Sequence, residues 1–582
     1  MRAFLKMFLA SFLALVLFCV VGLFFFIAAI AALGASDKPR IAERSVLRID
    51  LSQHFAEQER RNPLSRISGG EADAPGLYDV LRLVRKAADD KNIAGIYLQA
   101  DDNGNGYAAS EELRSELAAF KKKGKFVIAF GNRMSQKAYY LATVADKIYV
   151  SPQGFLEWKG LAVELMFFKN ALDRLRIQPQ VFYAGKFKSA TEPFRAEQMT
   201  PANRLQTQEF LDDIDRVLLY RVGQSRGIDT ATLYRMANEG SVQNAEDALR
   251  YKLVDGLRYD DQVRDELKQR IGAGSQDKLA FTELSTYGDA VSYKASGDKR
   301  IALIYAEGTI MDGPGDRESI GDEEYIKWIR KARLDKSVKA IVLRINSGGG
   351  SALASENIWR ELKLAKEAKP LVVSFGDVAA SGGYYIATAA DSIFALPNTI
   401  TGSIGVFSMI PNLQGFFNEK LGVTFDGVKT ATYADRNNVF RALSPAEAAF
   451  QQREVDRIYS VFKQRVADGR KKDTAYIGSI AQGRVWSGEK ALQIGLIDRL
   501  GGLEEAVRCA ARMAKTDSYR LREYPERGGF LEDLLDRKKE EPMAQLRKQL
   551  GAGQFAVFEQ LVELNRLCGA PQARMPFAME IR

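Results

Sequence analysis

The chain carries one pattern of hydrophobic and polar positions twice. In the second occurrence, short apolar runs rich in β-branched residues (341–345 and 371–375) flank a run with the spacing of an amphipathic helix (354–368). Alternation of strands and helices favours α/β units with parallel strands buried on both faces. A helical stretch rich in charge follows each core, for example at 445–470.

The two occurrences are copies of each other, displaced by 245 residues. The segment 84–100 (VRKAADDKNIAGIYLQA) aligns without a gap to 329–345 (IRKARLDKSVKAIVLRI). At the same displacement, 138–150 (AYYLATVADKIYV) aligns to 383–395 (GYYIATAADSIFA). Repeats of this length indicate duplicated domains rather than the units of a solenoid.

The N-terminus carries a long apolar run. The 27 residues from Met7 to Leu33 include no charge. As a helix they would extend about 40 Å, which exceeds the roughly 30 Å of a bilayer core. The apolar region of a signal peptide is shorter, about 7–15 residues. The run therefore predicts an N-terminal signal-anchor that spans the membrane, although the basic residues after it leave the positive-inside rule undecided.

We predict four parts from these patterns. They are a transmembrane signal-anchor (1–36), a first repeat (45–295), a second repeat (299–515) and a C-terminal extension (516–582). Within the extension, 543–567 has the spacing of amphipathic helices, and no chemistry is predicted for it.

Composition argues against several classes of function. The net charge of +9 arises from 83 basic and 74 acidic residues that are interspersed, and no basic tract contains interleaved aromatic residues. We therefore predict no nucleic-acid partner. With one histidine, three cysteines and no CxxC motif, we predict no metal site and no cofactor. Cys509 and Cys568 are either a disulfide pair or free thiols.

Ser381 has the placement of a nucleophile. In DVAASGGYYIATAAD (377–391) it follows an apolar strand and precedes two glycines at a predicted helix start. Histidine is the usual base for such a serine. The only histidine, His54, is far away in sequence, and nothing near it indicates a base. By itself, a serine in this setting is more often a turn residue or a helix cap.

The copies differ where chemistry is expected. Gln136 occupies the position of Ser381 in the first copy, which also lacks the glycine run of NSGGGS (346–351). The first copy instead has Lys188, whereas the second has Ala434 or a close neighbour there. One repeat thus supplies a candidate nucleophile and the other a candidate base.

Four segments together resemble a known family. INSGGGSALASE, DVAASGGYYIATAAD, TGSIGV (401–406) and YAGKFKSATEPF (183–194) occur in the order found in the long, two-repeat form of bacterial signal peptide peptidase A. The resemblance implies tandem α/β domains of the Clp protease/crotonase type. It also implies a serine protease with a Ser–Lys dyad, in which Ser381 is the nucleophile, Lys188 the general base, and Ser403 orients the lysine.

The same resemblance implies a cellular setting. Family members degrade signal peptides that remain in the membrane after cleavage. They assemble as a homotetramer that forms a bowl on the membrane. For this chain we therefore expect a single-pass protein of the bacterial inner (cytoplasmic) membrane, with its catalytic domains on the periplasmic side.

The proposed chemistry requires an uncharged lysine and backbone donors for the oxyanion. A lysine with the usual pKa of about 10.4 is charged at pH 7, so it can act as a base only where burial disfavours the ammonium form. Phe187 and Phe194 beside Lys188 suit such surroundings. The oxyanion requires backbone N–H donors, for which Gly382 and Gly349 are candidates. The family has proline where this chain has Gly348, so the choice between Gly349 and Gly350 stays open.

Two other functions compete with proteolysis. A crotonase-like acyl-CoA enzyme would use similar oxyanion donors, but such enzymes commonly use a carboxylate, and AASGGYY contains none. An inactive membrane scaffold would leave Ser381 and Lys188 more than about 6 Å apart, beyond the contact distance that a base requires.

Overall fold

The computed structural model describes residues 2–34, 39–59, 75–274, 276–294, 296–316, 318–526 and 570–575. Helix α1 covers Arg2–Gly34, and the apolar side chains described along it are exposed. Within the ranges that are described, no helix combines the length and the apolar character needed to cross a bilayer. The transmembrane segment at 1–36 therefore stays a prediction. The predicted amphipathic helices at 543–567 lie outside the described residues.

The first repeat alternates helices and strands. Its helices are α2 (Leu77–Asp89), α3 (Tyr107–Lys122), α4 (Gln136–Ala142), α5 (Lys169–Arg174), α6 (Glu192–Arg195), α7 (Pro201–Arg226), α8 (Thr230–Asn238), α9 (Ala245–Arg250), α10 (Asp260–Ile271) and α11 (Leu284–Ala290). Its strands are β1 (Ser45–Asp50), β2 (Ile93–Gln99), β3 (Phe126–Met134), β4 (Lys147–Leu156), β5 (Gln178–Ala184), β6 (Gly256–Leu257) and β7 (Phe281–Glu283).

The second repeat follows the same alternation. Its helices are α12 (Asp322–Leu334), α13 (Ala352–Ala368), α14 (Gly382–Ala387), α15 (Pro445–Arg470), α16 (Thr474–Ile480), α17 (Gly488–Gln493) and α18 (Leu503–Met513). The strands are β8 (Lys299–Glu307), β9 (Thr309–Met311), β10 (Ser319–Gly321), β11 (Val338–Ser347), β12 (Gly349–Ser351), β13 (Leu371–Ala380), β14 (Ser392–Ala395), β15 (Ile400–Gly402), β16 (Val406–Asn412), β17 (Val485–Ser487), β18 (Arg499–Leu500), β19 (Tyr519–Tyr524) and β20 (Gln572–Arg574).

Each repeat is built around its own sheet. The first sheet has the order β6-β4-β3-β2-β1-β7, and all its strands are parallel. The second has the order β17-β15-β13-β11-β8-β19, with β14 and β18 beside it. Its central strand β11 is buried along most of its length, as expected of a parallel strand covered on both faces. The predicted duplicated α/β architecture is confirmed.

A third, mixed sheet joins the repeats. Its order is β10-β9-β12-β20-β16-β5, so β5 of the first repeat extends a sheet whose other strands come from later in the chain. Strands β5 and β16 pair antiparallel from Ala184 opposite Val406 to Gln178 opposite Asn412. This pairing fixes the end of β5, and hence the loop that follows it, against the second repeat.

Buried charges also connect the repeats. The guanidinium of Arg344 in β11 donates to Glu57 at 2.8 Å and to Glu112 at 2.6 Å, and both carboxylates belong to the first repeat. Asp377 of the second repeat accepts hydrogen bonds from the N–H groups of Ala108 and Ala109 at the start of α3. A carboxylate at a helix N-terminus is favourable because it accepts from unpaired N–H groups.

Of Cys509 and Cys568, the structure describes the first. Cys509 lies buried in α18 as a free thiol in the structure. Cys568 lies outside the described residues, so the alternative of a disulfide between the two stays open.

Candidate active site

Ser381 lies at the turn between β13 and α14. Its backbone has φ of 54° and ψ of −114°, a left-handed φ that is rare for a residue with a side chain. The N–H of Ser381 donates to the Gly402 carbonyl at 2.8 Å, and its own carbonyl accepts from the Tyr385 N–H. These bonds hold a strained, fully buried serine in one orientation.

Lys188 of the first repeat reaches this serine. Its Nζ lies 2.8 Å from Oγ of Ser381, 3.0 Å from Oγ of Ser403 and 3.1 Å from the Ser403 carbonyl oxygen. Ser403 itself has a positive φ of 49°, and its N–H donates to the carbonyl of Arg484. Lys188 thus contacts both of the serines that the sequence singled out, although Lys188 and Ser381 are 193 positions apart.

Burial sets the protonation of this lysine. Lys188 is 1% exposed, and its polar contacts are with serine oxygens. Burial holds the pKa of Lys188 well below its usual value, because an ammonium ion loses its hydration there. Phe187 and Phe194, which the sequence suggested as apolar surroundings, are also buried. A neutral amine at hydrogen-bond distance from a serine hydroxyl is able to accept its proton.

The loop that carries Lys188 is anchored from both repeats. The Phe187 N–H donates to the Gln482 carbonyl at 2.8 Å, which is a contact with the second repeat. The side-chain amide of Gln206 donates to the Phe187 carbonyl and to Ser189 Oγ, each at 3.0 Å. These bonds position the lysine because they fix the backbone on both sides of it.

The sequence analysis missed Gly483, which packs directly on the lysine. A Cβ at this position would lie 2.7 Å from the backbone nitrogen and Cβ of Lys188, closer than any normal contact, and φ is 75°. Only glycine permits this approach. Neither local sequence pattern nor composition signals it, because the contact joins loops from different repeats.

The predicted oxyanion residues lie beside Ser381. A Cβ on Gly349, where φ is 95°, would come within 2.6 Å of the Gly382 nitrogen, so the two glycines form a narrow recess. The Gly349 N–H donates to Ser347 Oγ at 3.1 Å, and that hydroxyl donates to the Gly308 carbonyl at 2.6 Å. The N–H of Gly349 therefore has a partner within the protein already.

The positions of the histidine and of the possible metal ligands in the fold bear on whether they have a role in catalysis. His54 is exposed, and its Nδ1 lies 3.0 Å from the carbonyl oxygen of Gly104. Across the described part of the chain, no group of three or more His, Cys, Asp or Glu side chains is arranged to hold a metal ion.

Comparison with known proteins shows which protein family this chain is similar to. The model of peptidase family S49 matches twice, at residues 119–274 and 363–517. "Protease 4" of Salmonella typhi is 38% identical over 469 residues, which are 79% of this chain and 75% of that protein. "Serine protease SPPA, chloroplastic" of Arabidopsis thaliana is 33% identical, covering 82% of this chain and 70% of that protein. "Putative signal peptide peptidase SppA" of Enterococcus faecium is 34% identical, covering 42% and 73%.

A weaker likeness concerns the fold. The solved structure of a ClpP1 mutant from Listeria monocytogenes aligns with 35% of this chain and 94% of that chain at 16% identity, with a TM-score of 0.24. A score this low does not establish a shared fold. The Clp protease/crotonase assignment therefore continues to follow from the sequence resemblance.

Two peptidase domains in tandem, around a buried serine and lysine in contact, define a serine protease. The chain belongs to peptidase family S49, as the resemblance of its motifs predicted. These comparisons do not support the alternative of an acyl-CoA enzyme.

Proposed function

We propose that this chain is a membrane-anchored serine endopeptidase that degrades signal peptides by means of a Ser381–Lys188 dyad. One observation carries the proposal: Nζ of a fully buried lysine lies 2.8 Å from Oγ of a fully buried serine. The Enterococcus faecium relative is named as a signal peptide peptidase, which supports the class of substrate.

The dyad acts in two stages. In the first, the neutral amine of Lys188 takes the hydroxyl proton while Ser381 Oγ attacks the peptide carbonyl carbon. The resulting ammonium ion then protonates the departing amine as the C–N bond breaks, which leaves an ester on Ser381. In the second stage, Lys188 takes a proton from water, whose oxygen attacks the ester carbonyl carbon. The bond from that carbon to Ser381 Oγ then breaks, Oγ takes the proton back from Lys188, and the acid is released. Ser403 holds the amine in place throughout, because both its hydroxyl and its carbonyl contact Nζ.

Two backbone N–H groups stabilise the oxyanion. Gly382 supplies one, because it directly follows Ser381 and its backbone nitrogen lies 2.6 Å from where a Cβ on Gly349 would be, at the recess. For the other, we favour Gly350 over Gly349, because the Gly349 N–H is engaged by Ser347 Oγ. Removing one such donor from a protease typically costs on the order of 3 kcal/mol of transition-state stabilisation.

The cellular setting is part of the proposal. The uncharged run from Met7 to Leu33 would anchor the chain in the bacterial inner membrane, with the catalytic domains on the periplasmic side and four copies assembled around a common bowl. Fractionation of cells, protease accessibility of intact spheroplasts, and the mass of the detergent-solubilised assembly test these three statements separately.

Lys188→Arg gives the sharpest test of the dyad. Arginine keeps the positive charge but stays protonated, so it cannot serve as a base. We expect Ser381→Ala, Lys188→Ala and Lys188→Arg all to lose turnover of a signal-peptide substrate at pH 8 while they remain folded, as far-UV circular dichroism would show. Lys186→Arg, two residues away, is the matched control and should keep full activity. Substantial turnover by Lys188→Arg would overturn the dyad.

A further inference from the structure

A buried carboxylate, that of Glu192, lies four residues after Lys188 and has no part in the chemistry described above. The side chain is 1% exposed, at the start of α6. One oxygen accepts from the Thr200 hydroxyl at 2.6 Å, and the other accepts from the Thr200 N–H at 3.1 Å and the Asn203 side-chain amide at 2.9 Å. The guanidinium of Arg195 is 3.8 Å away. Burying a carboxylate costs free energy unless hydrogen bonds satisfy it, and these bonds do so.

A chain of hydrogen bonds leads from this carboxylate to the loop of the catalytic lysine. The Asn203 side chain donates to Glu192 and accepts, through its oxygen, from the side-chain amide of Gln206 at 3.1 Å. That amide also donates on both sides of the lysine, to the Phe187 carbonyl and to Ser189 Oγ. Asn203 and Gln206 are each 2% exposed, and hydrogen bonds are strong at buried positions because little water competes for them.

The chain ends on the second repeat. The Gln206 side-chain oxygen accepts from the N–H of Val485 in β17 at 3.3 Å. Val485 pairs with Gly402 in β15, and the carbonyl of Arg484 next to it accepts from the Ser403 N–H at 2.7 Å. Gln206 therefore connects the loop of the lysine to the strand that holds the backbone of Ser403, whose hydroxyl and carbonyl contact the lysine Nζ.

The carboxylate sets the direction of every bond in this chain. An ionised carboxylate only accepts hydrogen bonds, whereas a side-chain amide accepts with its oxygen and donates with its nitrogen. Glu192 therefore turns the Asn203 nitrogen towards itself and the Asn203 oxygen towards Gln206. That oxygen in turn directs the Gln206 nitrogen to the lysine loop and leaves the Gln206 oxygen for Val485. Reversal of either amide would place two donors or two acceptors against each other.

On the basis of the Ser–Lys dyad proposed above, we propose that Glu192 and Asn203 are positioning residues for the general base. They act through Gln206, whose bonds hold the Lys188 loop against the strand of Ser403. Because they act on the lysine and contact other protein groups, their loss should lower kcat and leave KM nearly unchanged. Displacement of a catalytic group by about 1 Å can cost about 10²-fold in rate. A displaced lysine would also regain hydration, so its pKa would rise and activity would appear at higher pH.

Asn203→Asp gives the sharpest test, because it keeps the shape of the side chain and replaces a donor by an acceptor. Two carboxylates then face each other at positions 192 and 203. Glu192→Gln in the same chain should rescue activity, because its nitrogen can donate to the new carboxylate, which still accepts from Gln206. Gln198→Glu is the matched control for the added charge, because this side chain is exposed, and it should keep the wild-type kcat.

Kinetics of the full-length variants on a signal-peptide substrate between pH 6 and pH 10, with far-UV circular dichroism, provide the test. We expect Asn203→Asp to lose kcat by about 10²-fold, with KM within about twofold of the wild type. Its activity should also rise at higher pH than that of the wild type. The double variant should regain kcat to within about threefold of the wild type, as expected of two coupled residues.

Glu192→Gln alone gives the same test if Asn203→Asp does not fold. It offers one acceptor oxygen in place of two, so we expect a lower kcat and a pH profile displaced in the same direction. Wild-type kcat and pH profile in the folded single variants, or a double variant no more active than Asn203→Asp, would overturn this inference and leave the proposed function standing. Turnover of the same substrate by Ser381→Ala would instead refute the proposed function.

Discussion

The side-chain amide of Gln136 forms hydrogen bonds with the backbone of Lys159 and Gly160. Its Oε1 accepts from the Gly160 N–H at 3.1 Å and from the Lys159 N–H at 2.9 Å, while its Nε2 donates to the Gly160 carbonyl at 3.2 Å. Gln136 takes the position in the first repeat that Ser381 takes in the second. In the first repeat, the position equivalent to Ser381 therefore has a structural role. Its buried side-chain amide both accepts and donates hydrogen bonds.

A serine at position 136 should not create a second active site in the first repeat. Ser381→Ala combined with Gln136→Ser should be as inactive as Ser381→Ala alone, because the first repeat lacks the glycine run and no lysine is expected to reach residue 136. Hydrolysis of a fluorogenic peptide checks it. Gln136→Ser alone should keep turnover and lower the melting temperature, since it removes three hydrogen bonds. Restored turnover in the double variant would show a latent second site.

Lys188 should reduce stability at neutral pH. Its folded-state pKa lies well below the unfolded value of about 10.4, so the unfolded chain binds the extra proton between the two pKa values. The free energy of unfolding attributable to this group is therefore greatest above pH 10.4 and falls as the pH drops through that window. We expect Lys188→Met to be inactive yet more stable than the wild type at pH 7, by urea denaturation. A wild type as stable as Lys188→Met at pH 7 would contradict this prediction.

Glu57 should show the opposite dependence on pH. One guanidinium, that of Arg344, serves two buried carboxylates, and burial raises the pKa of Glu57 to about 7. The folded chain then binds the extra proton between the unfolded value of about 4.3 and pH 7. The contribution of Glu57 to stability is full below pH 4.3 and is lost as the pH rises towards 7. Glu57→Gln should lose less unfolding free energy than the wild type between pH 5 and pH 8. Parallel curves for the two proteins would contradict this assignment.

Gly483 should be essential for activity without contacting substrate. In Gly483→Ala, the new methyl group would meet the Lys188 backbone at 2.7 Å, so the loop must shift. Displacement of a catalytic group by about 1 Å can cost about 10²-fold in rate, and we expect a loss of kcat of that order. Gly478→Ala is the control, because a Cβ there meets no atom within 4 Å and alanine favours helices. Unchanged kcat in Gly483→Ala would show that the loop adapts freely.

The sequence was informative wherever local pattern or internal comparison applied. The apolar runs at 341–345 and 371–375 lie in β11 and β13, and the charge-rich stretch at 445–470 matches α15. The comparison of the two copies points to Ser381 and Lys188, because loss of a residue type from one copy is visible in the sequence alone.

Local sequence pattern and comparison of the two copies did not predict contacts between distant segments. The pairing of β5 with β16 depends on edge strands that meet only in the folded chain, as does the pairing of β12 with β20. The choice between Gly349 and Gly350 depends on the direction of one N–H group, which the hydroxyl of Ser347 determines. Sequence reasoning did not predict β20, because a three-residue strand carries no periodic signal.

The join between β5 and β16 has a consequence for biosynthesis. The ribosome makes the lysine first, the serine 193 residues later, and the strand that holds the lysine loop in place only after that. A nascent chain therefore has no complete dyad until most of its length has been made. In the membrane setting proposed above, the protease would be inert while its first repeat is threaded across the bilayer among the peptides that it would cut, and it would become active only after β16 has been made.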